Sequence, residues 1–399
     1  IQTLPIKDGH PYEEPSTLTE IKQSRPAQPN LPKWQGTPEE WIHKLHGGLL
    51  ARICGCMLGK PVEGATREEI RAWGEETGNW PLHEYFSEPD PAQKERLRES
   101  VPNLHFWPGR EHPTLGHMNG SVPDDDTNYT MAGFEIVRRW GAAFRPLDVA
   151  RYWFENLPAF TTYTAERVAY RNLLNNHIPP ESATFRNPFR EWIGAQIRAD
   201  YFGYANPGNP ELAAEWAWRD ASVSHIKNGI YGEMWVAAML AAAYVLTGYR
   251  EIIEAGLAQI PAKCRLSDAV HKIVEQHGRG ATYEEAVDGL HQRWTETDPH
   301  AWCHTISNAE IVAIALLYGD DDYTQTISRA VMAGFDTDCN GATAGSVWGI
   351  VHGVEQIPSH WTAPIADKLR TQLIGVGEQS VSDLAGRMVA VAKSAHSPS

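Results

Sequence analysis

Gly341, Gly345, Gly349 and Gly353 recur every four residues, and Gly47, Ala51, Gly55 and Gly59 repeat the same step. On an α-helix that spacing lines up a single ridge. Glycine costs a helix interior roughly 0.8–1 kcal/mol per residue against alanine, so such a stripe needs compensation. Very close approach of a neighbouring backbone is the simplest. Neither segment is apolar enough for the membrane version of small-residue packing. Both helices are therefore expected at the centre of an all-α bundle.

Helical periodicity continues through most of the chain. Trp41–Gly59, Thr127–Gly141, Pro146–Asn156, Glu211–His225, Tyr231–Thr247, Tyr283–Trp294, Asn308–Gly319, Tyr323–Ala333 and Asn340–Gly353 all read as helices. Alternating β-branched runs bounded by turns do not recur, so strands are nearly absent from the expectation. Residues 1–40, with Pro5, Pro11, Pro15, Pro26, Pro29 and Pro32, read as an extended N-terminal arm, or equally as disorder. No linker or low-complexity tract follows, and residues 41–399 read as one large domain. The stretch 74–123 has no clear period and holds Trp80, Tyr85, Phe86, Phe106 and Trp107. So long an irregular segment usually serves or covers a site. Its rings suit stacking against a flat ligand, although core packing is their commoner use.

Charge narrows the function classes. The 399 residues carry 35 basic and 50 acidic side chains, a net charge of −15, which argues against a general binder of nucleic acid or anionic membrane. The longest apolar run, Met234–Leu246, is 13 residues, short of the roughly 20 a membrane span needs. Five scattered cysteines make no disulfide framework. No secretory apolar stretch opens the sequence, and a cytoplasmic location is the expectation. Walker A, dinucleotide-binding, zinc-protease and nucleophile-elbow motifs are all missing.

Acidic residues mark the ends of the unusual helices. Asp124-Asp125-Asp126-Thr127 opens one helix, Asp336-Thr337-Asp338-Cys339-Asn340 opens another, and Glu63 follows the first in Gly59-Lys60-Pro61-Val62-Glu63-Gly64. Capping explains one aspartate per helix. Three in succession repel one another, and only one or two of them can cap. The alternative is a cluster of hard oxygen ligands for Mg²⁺ or Mn²⁺, whose charge offsets the repulsion.

Those motifs resemble the ADP-ribosylglycohydrolase family, which includes dinitrogenase-reductase-activating glycohydrolases and ADP-ribosyl-acceptor hydrolases. The resemblance runs from about Trp41 to Gly353. Gly48–Glu63 is similar to the family's first helix, Asp124–Thr127 to its Thr-Asp-Asp-Thr, and Gly334–Gly341 to its Gly-Gly-Asp-Thr-Asp-Thr. Ile193–Arg198 and Ser224-His225 match weaker substrate-side motifs. The resemblance implies a single large orthogonal helical bundle with a central metal cleft, one or two Mg²⁺ ions and cleavage of a ribosyl bond.

It also implies roles for individual residues. Asp125, Asp126, Asp336 and Asp338 become metal ligands, with Asp124 and Cys339 at the metal edge. Glu63, Asp125 and Asp338 become candidates for handling the proton of an attacking water. Substrate contacts are expected from Glu63, Thr127, Arg198, His225, Asn228 and Asn340. Arg198 reads equally well as a helix salt bridge, and His225 as a core histidine.

Two departures bear on substrate and metal. Asp124 replaces a family Thr, and Cys339 replaces another where a hydroxyl ligand is usual. A thiol suits Mg²⁺ poorly. The expected substrate is a small molecule or an ADP-ribosylated group, with no nucleic acid and no membrane. An N-glycosidase of a small ribosylated metabolite, with no need for ADP, is the runner-up. A non-catalytic ligand-binding or structural descendant is third.

Overall fold

The computed structural model describes residues 9–101 and 113–397. It is all-α. Among the described residues the strands are two three-residue pieces, Lys368–Arg370 and Glu378–Ser380, paired antiparallel with Leu369 opposite Gln379.

At the centre lie two long helices, Pro38–Gly59 and Thr337–His352, packed antiparallel along the glycine ridges. A Cβ added at Gly55 would stand 2.1 Å from the Gly341 carbonyl oxygen, and one at Gly349 would stand 2.2 Å from that of Gly47. Gly345 meets Ala51 in the same way, at 2.6 Å from its carbonyl oxygen. The two backbones therefore touch, and the compensation expected from the ridge is supplied by main-chain contact. Because the pair is antiparallel, Gly59 at one helix end abuts Thr337 and Asp338 at the start of the other. The Thr337 hydroxyl donates to the Gly59 carbonyl at 2.9 Å and closes that end.

Around this pair the Tyr323–Met332, Thr305–Tyr318 and Val381–His396 helices pack, and Asn228–Ala242 lies fully buried among them. The Asp125–Trp140 helix approaches from the side of Val381–His396 and the short helix Asp200–Tyr204. Helix starts differ from the periodicity by a few residues, for local reasons. Pro38–Gly59 begins early because Thr37 and Glu40 form a capping box with Pro38 in the first turn. Asp125–Trp140 begins two residues early because Asp124 caps it.

The N-terminal arm runs over the body with a short helix, Leu18–Ser24, in its middle. Glu14 pairs with Arg265 at 2.8 Å and accepts from the Asn228 amide at 2.8 Å. The Trp218 indole donates to the Ser16 carbonyl, Tyr231 donates to that of Pro15, and Arg25 donates to that of Gln259. In the 74–123 stretch, residues 91–100 form a helix, Pro91–Ser100, where none was expected. Tyr85 and Phe86 are core residues, with the Tyr85 hydroxyl donating to the Trp361 carbonyl and its ring against the Trp361 indole. They are therefore not free to stack a ligand. Trp80 is half-buried, and Phe106 and Trp107 lie outside the described residues.

Candidate functional site

The site forms where three helix ends meet. Asp124 is the N-cap of Asp125–Trp140, its Oδ1 accepting the Asp126 amide at 2.9 Å. Asp336 stands at the N-cap of Thr337–His352, preceded by Gly334 and Phe335, both at positive φ. Helix N-termini favour carboxylates, because unpaired N–H groups and the helix dipole present positive potential there. Glu63 follows the C-terminal end of Pro38–Gly59, delivered by the short turn Lys60–Val62.

Lys60 lies between these groups. Its ammonium is 2.6 Å from Asp124 Oδ2, 3.2 Å from Asp338 Oδ2 and 2.7 Å from Glu63 Oε2. Arg52, wholly buried on the same helix, reaches Asp126 Oδ1 and Asp200 Oδ2, both at 2.9 Å. The same guanidinium donates to the Asp126 and Ile197 carbonyls and to the Thr130 hydroxyl. Asn308 completes the frame, its Oδ1 accepting from the Asp336 amide and the Asn340 side chain.

Burial dominates the electrostatics. It works to remove charge from Lys60, and Asp124, Asp338 and Glu63 outweigh it, so the ammonium stays protonated. Burial and the neighbouring aspartates push Asp125, Asp126 and Asp336 well above the usual carboxylate range. Asp338 is pushed up to about 7 by burial and by Glu63. Cys339 is held well above the usual thiol range by burial and by Asp126, and so stays a neutral thiol.

A divalent cation fits this donor set. Donor atoms of Asp126, Asp338 and Cys339 lie within 4.8 Å of one another, as do those of Cys56, Asp124 and Asp126. Asp126 Oδ2 and Asp338 Oδ1 are buried and accept no hydrogen bond. Leaving such oxygens bare is costly, and a cation is a natural partner for them.

The structure thus brings together Glu63, Asp124, Asp125, Asp126, Asp336, Asp338, Cys339 and Asn340. It places others elsewhere. The Thr127 hydroxyl is buried on the Asp124 carbonyl. Asn228 is spent on Glu14, Glu191 and the Leu266 amide beneath the arm. Arg198 is buried and saturated by Glu166, Asp220, Glu233 and Ser224, with Tyr129 and Trp153 against its guanidinium. His225, buried beside it, pairs its Nδ1 with the Ser224 hydroxyl. Arg198 and Asn228, expected as substrate contacts, are thus engaged by internal bonds, whereas His225 keeps its buried Nε2 without a hydrogen bond.

Sequence reasoning passed over Arg52, Lys60 as a site residue, Asn308 and Tyr163. An arginine within Leu49-Leu50-Ala51-Arg52-Ile53-Cys54 was a signal, since a charge in an apolar helix stretch requires a partner. Tyr163, 52% exposed at the start of the Thr164–Leu174 helix, lies within electrostatic reach. Burial and then Asp125 raise its phenol.

Comparison with known proteins follows the same lines. A family model described as ADP-ribosylglycohydrolase matches residues 37–396. A solved structure described as an ADP-ribosylglycohydrolase-related protein complex has a TM-score of 0.57 and 18% identity, covering 89% of this chain and 99% of that one. No curated protein matches.

Proposed function

Since the chain belongs to the ADP-ribosylglycohydrolase family, we propose that it is a divalent-metal-dependent glycosidase cleaving the C1 bond of an ADP-ribosyl or N-ribosyl substrate. The observation that carries this reading is the meeting of two acidic helix starts, with Asp126 Oδ2 and Asp338 Oδ1 buried and without hydrogen bonds. Asp125, Asp126, Asp336 and Asp338 would hold the ion, Mg²⁺ or Mn²⁺, by their hard oxygens. Bound there, it supplies Lewis acidity and offsets the carboxylate charge.

The remaining work belongs to the chain. Glu63 and Asp125 are the half-buried members of the acidic set, whereas Asp124, Asp126, Asp336 and Asp338 are buried. With Asp125 assigned to the ion, Glu63 is the group left to meet water and take its proton as it attacks C1 and the C1 bond to the leaving group breaks, through an oxocarbenium-like state. Lys60 holds Glu63 in place from one side. Asp338, bonded to the same ammonium, serves to orient rather than to exchange protons.

A second reading draws on the cations. Lys60 is committed to three carboxylates, Arg67 pairs with Asp288, and Arg198 is saturated in the interior. Each of these three described cations is already in an ion pair, which favours a small ribosylated substrate with no ADP requirement.

Calorimetric titration of ADP-ribose, ribose and AMP, in Mg²⁺ and again in EDTA, separates the two readings. ADP-ribose binding that is lost in EDTA and not matched by ribose supports the ADP-ribosyl substrate. Metal-dependent ribose binding with no gain from the diphosphate supports the smaller one. In either case Glu63→Gln should bind ligand normally and lose turnover by about 10²-fold or more. Full turnover in that variant removes Glu63 from the base role.

A further inference from the structure

The acids of the centre differ in how their oxygens are used. Asp126 and Asp338 each keep one buried oxygen without a hydrogen bond. Asp124 does not. Its Oδ1 takes the Asp126 amide at 2.9 Å, and its Oδ2 lies 2.6 Å from the Lys60 ammonium, the shortest contact Lys60 makes. One oxygen is therefore engaged in a helix cap and the other in an ion pair with a cation the chain itself provides.

Lys60 is equally committed. Gly59, one residue before it, is fixed against Thr337 and Asp338 by main-chain contact, so the lysine stem leaves a rigid helix end. Its side chain is largely buried, and three carboxylates surround its ammonium. Moving the charge away would strand Asp124 Oδ2 in a buried position, which is costly for an unpaired ion.

We propose that Lys60 is a resident cation of the centre, which withdraws Asp124 from the metal-ligand set and confines divalent ions to the side of Asp125, Asp126, Asp336 and Asp338. The inference rests on the metal-dependent reading above and adds to it an assignment within the acidic cluster. Asp124 is the counter-ion of Lys60 and the cap of its helix. Lys60 also competes with a divalent ion for Asp338 Oδ2, so it lowers the affinity of the centre for metal.

Mn²⁺ binding to the full chain, measured by calorimetry with bound ion counted by elemental analysis, tests this. Lys60→Met frees Asp124 and Asp338 Oδ2, and should tighten Mn²⁺ binding by at least tenfold. Asp124→Asn keeps a good capping residue and should leave the affinity of the parent within threefold. Combined with Lys60→Met it should cancel most of the gain, and Lys60→Arg should behave like the parent. Far-ultraviolet circular dichroism and melting in EDTA establish that each variant is folded. A tenfold loss of Mn²⁺ in Asp124→Asn alone makes Asp124 a ligand and overturns the proposal, as does unchanged affinity in folded Lys60→Met. Should neither the parent nor Lys60→Met bind Mn²⁺, the metal-dependent reading itself falls, and this assignment with it.

Discussion

Asp338 and Asp124 share one ammonium and yet titrate in opposite directions. Burial raises Asp338 to about 7, with Glu63 adding to it, and Lys60 at 3.2 Å only partly opposes them. Burial also works to raise Asp124, but Lys60 at 2.6 Å and the Asp126 amide outweigh it and hold that carboxyl below the usual range. The raised group has a stability consequence in the absence of metal. A carboxyl whose folded pKa exceeds its unfolded value of about 4 stabilises the fold fully below pH 4, and that contribution is lost as pH rises through 7. Asp125, Asp126 and Asp336, also raised, act in the same sense. The melting temperature in EDTA should therefore fall between pH 5 and pH 8, and saturating Mg²⁺ should flatten the slope. A rise over that range would contradict the assignment. The aspartates themselves were legible in the sequence, because adjacent carboxylates at a helix start are conspicuous. Their partners were not. Lys60 and Arg52 meet Asp124 and Asp126 across 64 and 74 positions of chain, and no local pattern encodes such a pairing.

The glycine ridge told which two helices lie at the centre, and nine helices could be read from their periodicity. Some with an apolar face were still passed over, among them Arg67–Glu76, Tyr249–Leu257 and Arg265–Gly278; others carry little such signal. Pro91–Ser100 offers Leu97 as its buried apolar residue and exists on the strength of a capping box between Asp90 and Gln93. Thr164–Leu174 starts with Thr164 at a φ of 35° and no side-chain cap, so its beginning carries no marker. The ridge makes the sharpest prediction at this scale. Gly55→Ala sets a methyl 2.1 Å from a main-chain oxygen that belongs to a packed helix and cannot turn aside. It should cost about 3 kcal/mol or more in urea unfolding, at or above the upper end for overpacking. Gly386→Ala, in the Val381–His396 helix with nothing within 4 Å of the new atom, should instead stabilise by roughly 0.5–1 kcal/mol. Equal effects from the two would mean that the central helices are not in backbone contact.

For the whole molecule, the arm shows what composition reveals and what it hides. Its prolines announced an extended segment, but its anchors are single side chains scattered over the body. Glu14 is the best placed, meeting Arg265 and Asn228 together, and these partners outweigh burial to hold its carboxyl below the usual range. Glu14→Ala should loosen the arm, so that limited proteolysis cuts within residues 9–37 several-fold faster while the body stays intact. Unchanged cleavage would assign the attachment to the Trp218, Tyr231 and Arg25 bonds instead.

The central helix pair has one further consequence. Where side chains separate two helices, a larger or smaller residue resets the spacing and the ends drift accordingly. Here the gap is set by the radii of main-chain atoms, a length that no substitution can shorten. Sliding is blocked too, since the interlocked glycines admit steps of about one turn, some 5.4 Å, and such a step would carry Lys60 out of reach of Asp338. The distance between the acids at the two helix ends is therefore a fixed gauge. Changes can be accommodated at the exposed Tyr163 without moving the carboxylates that define the centre.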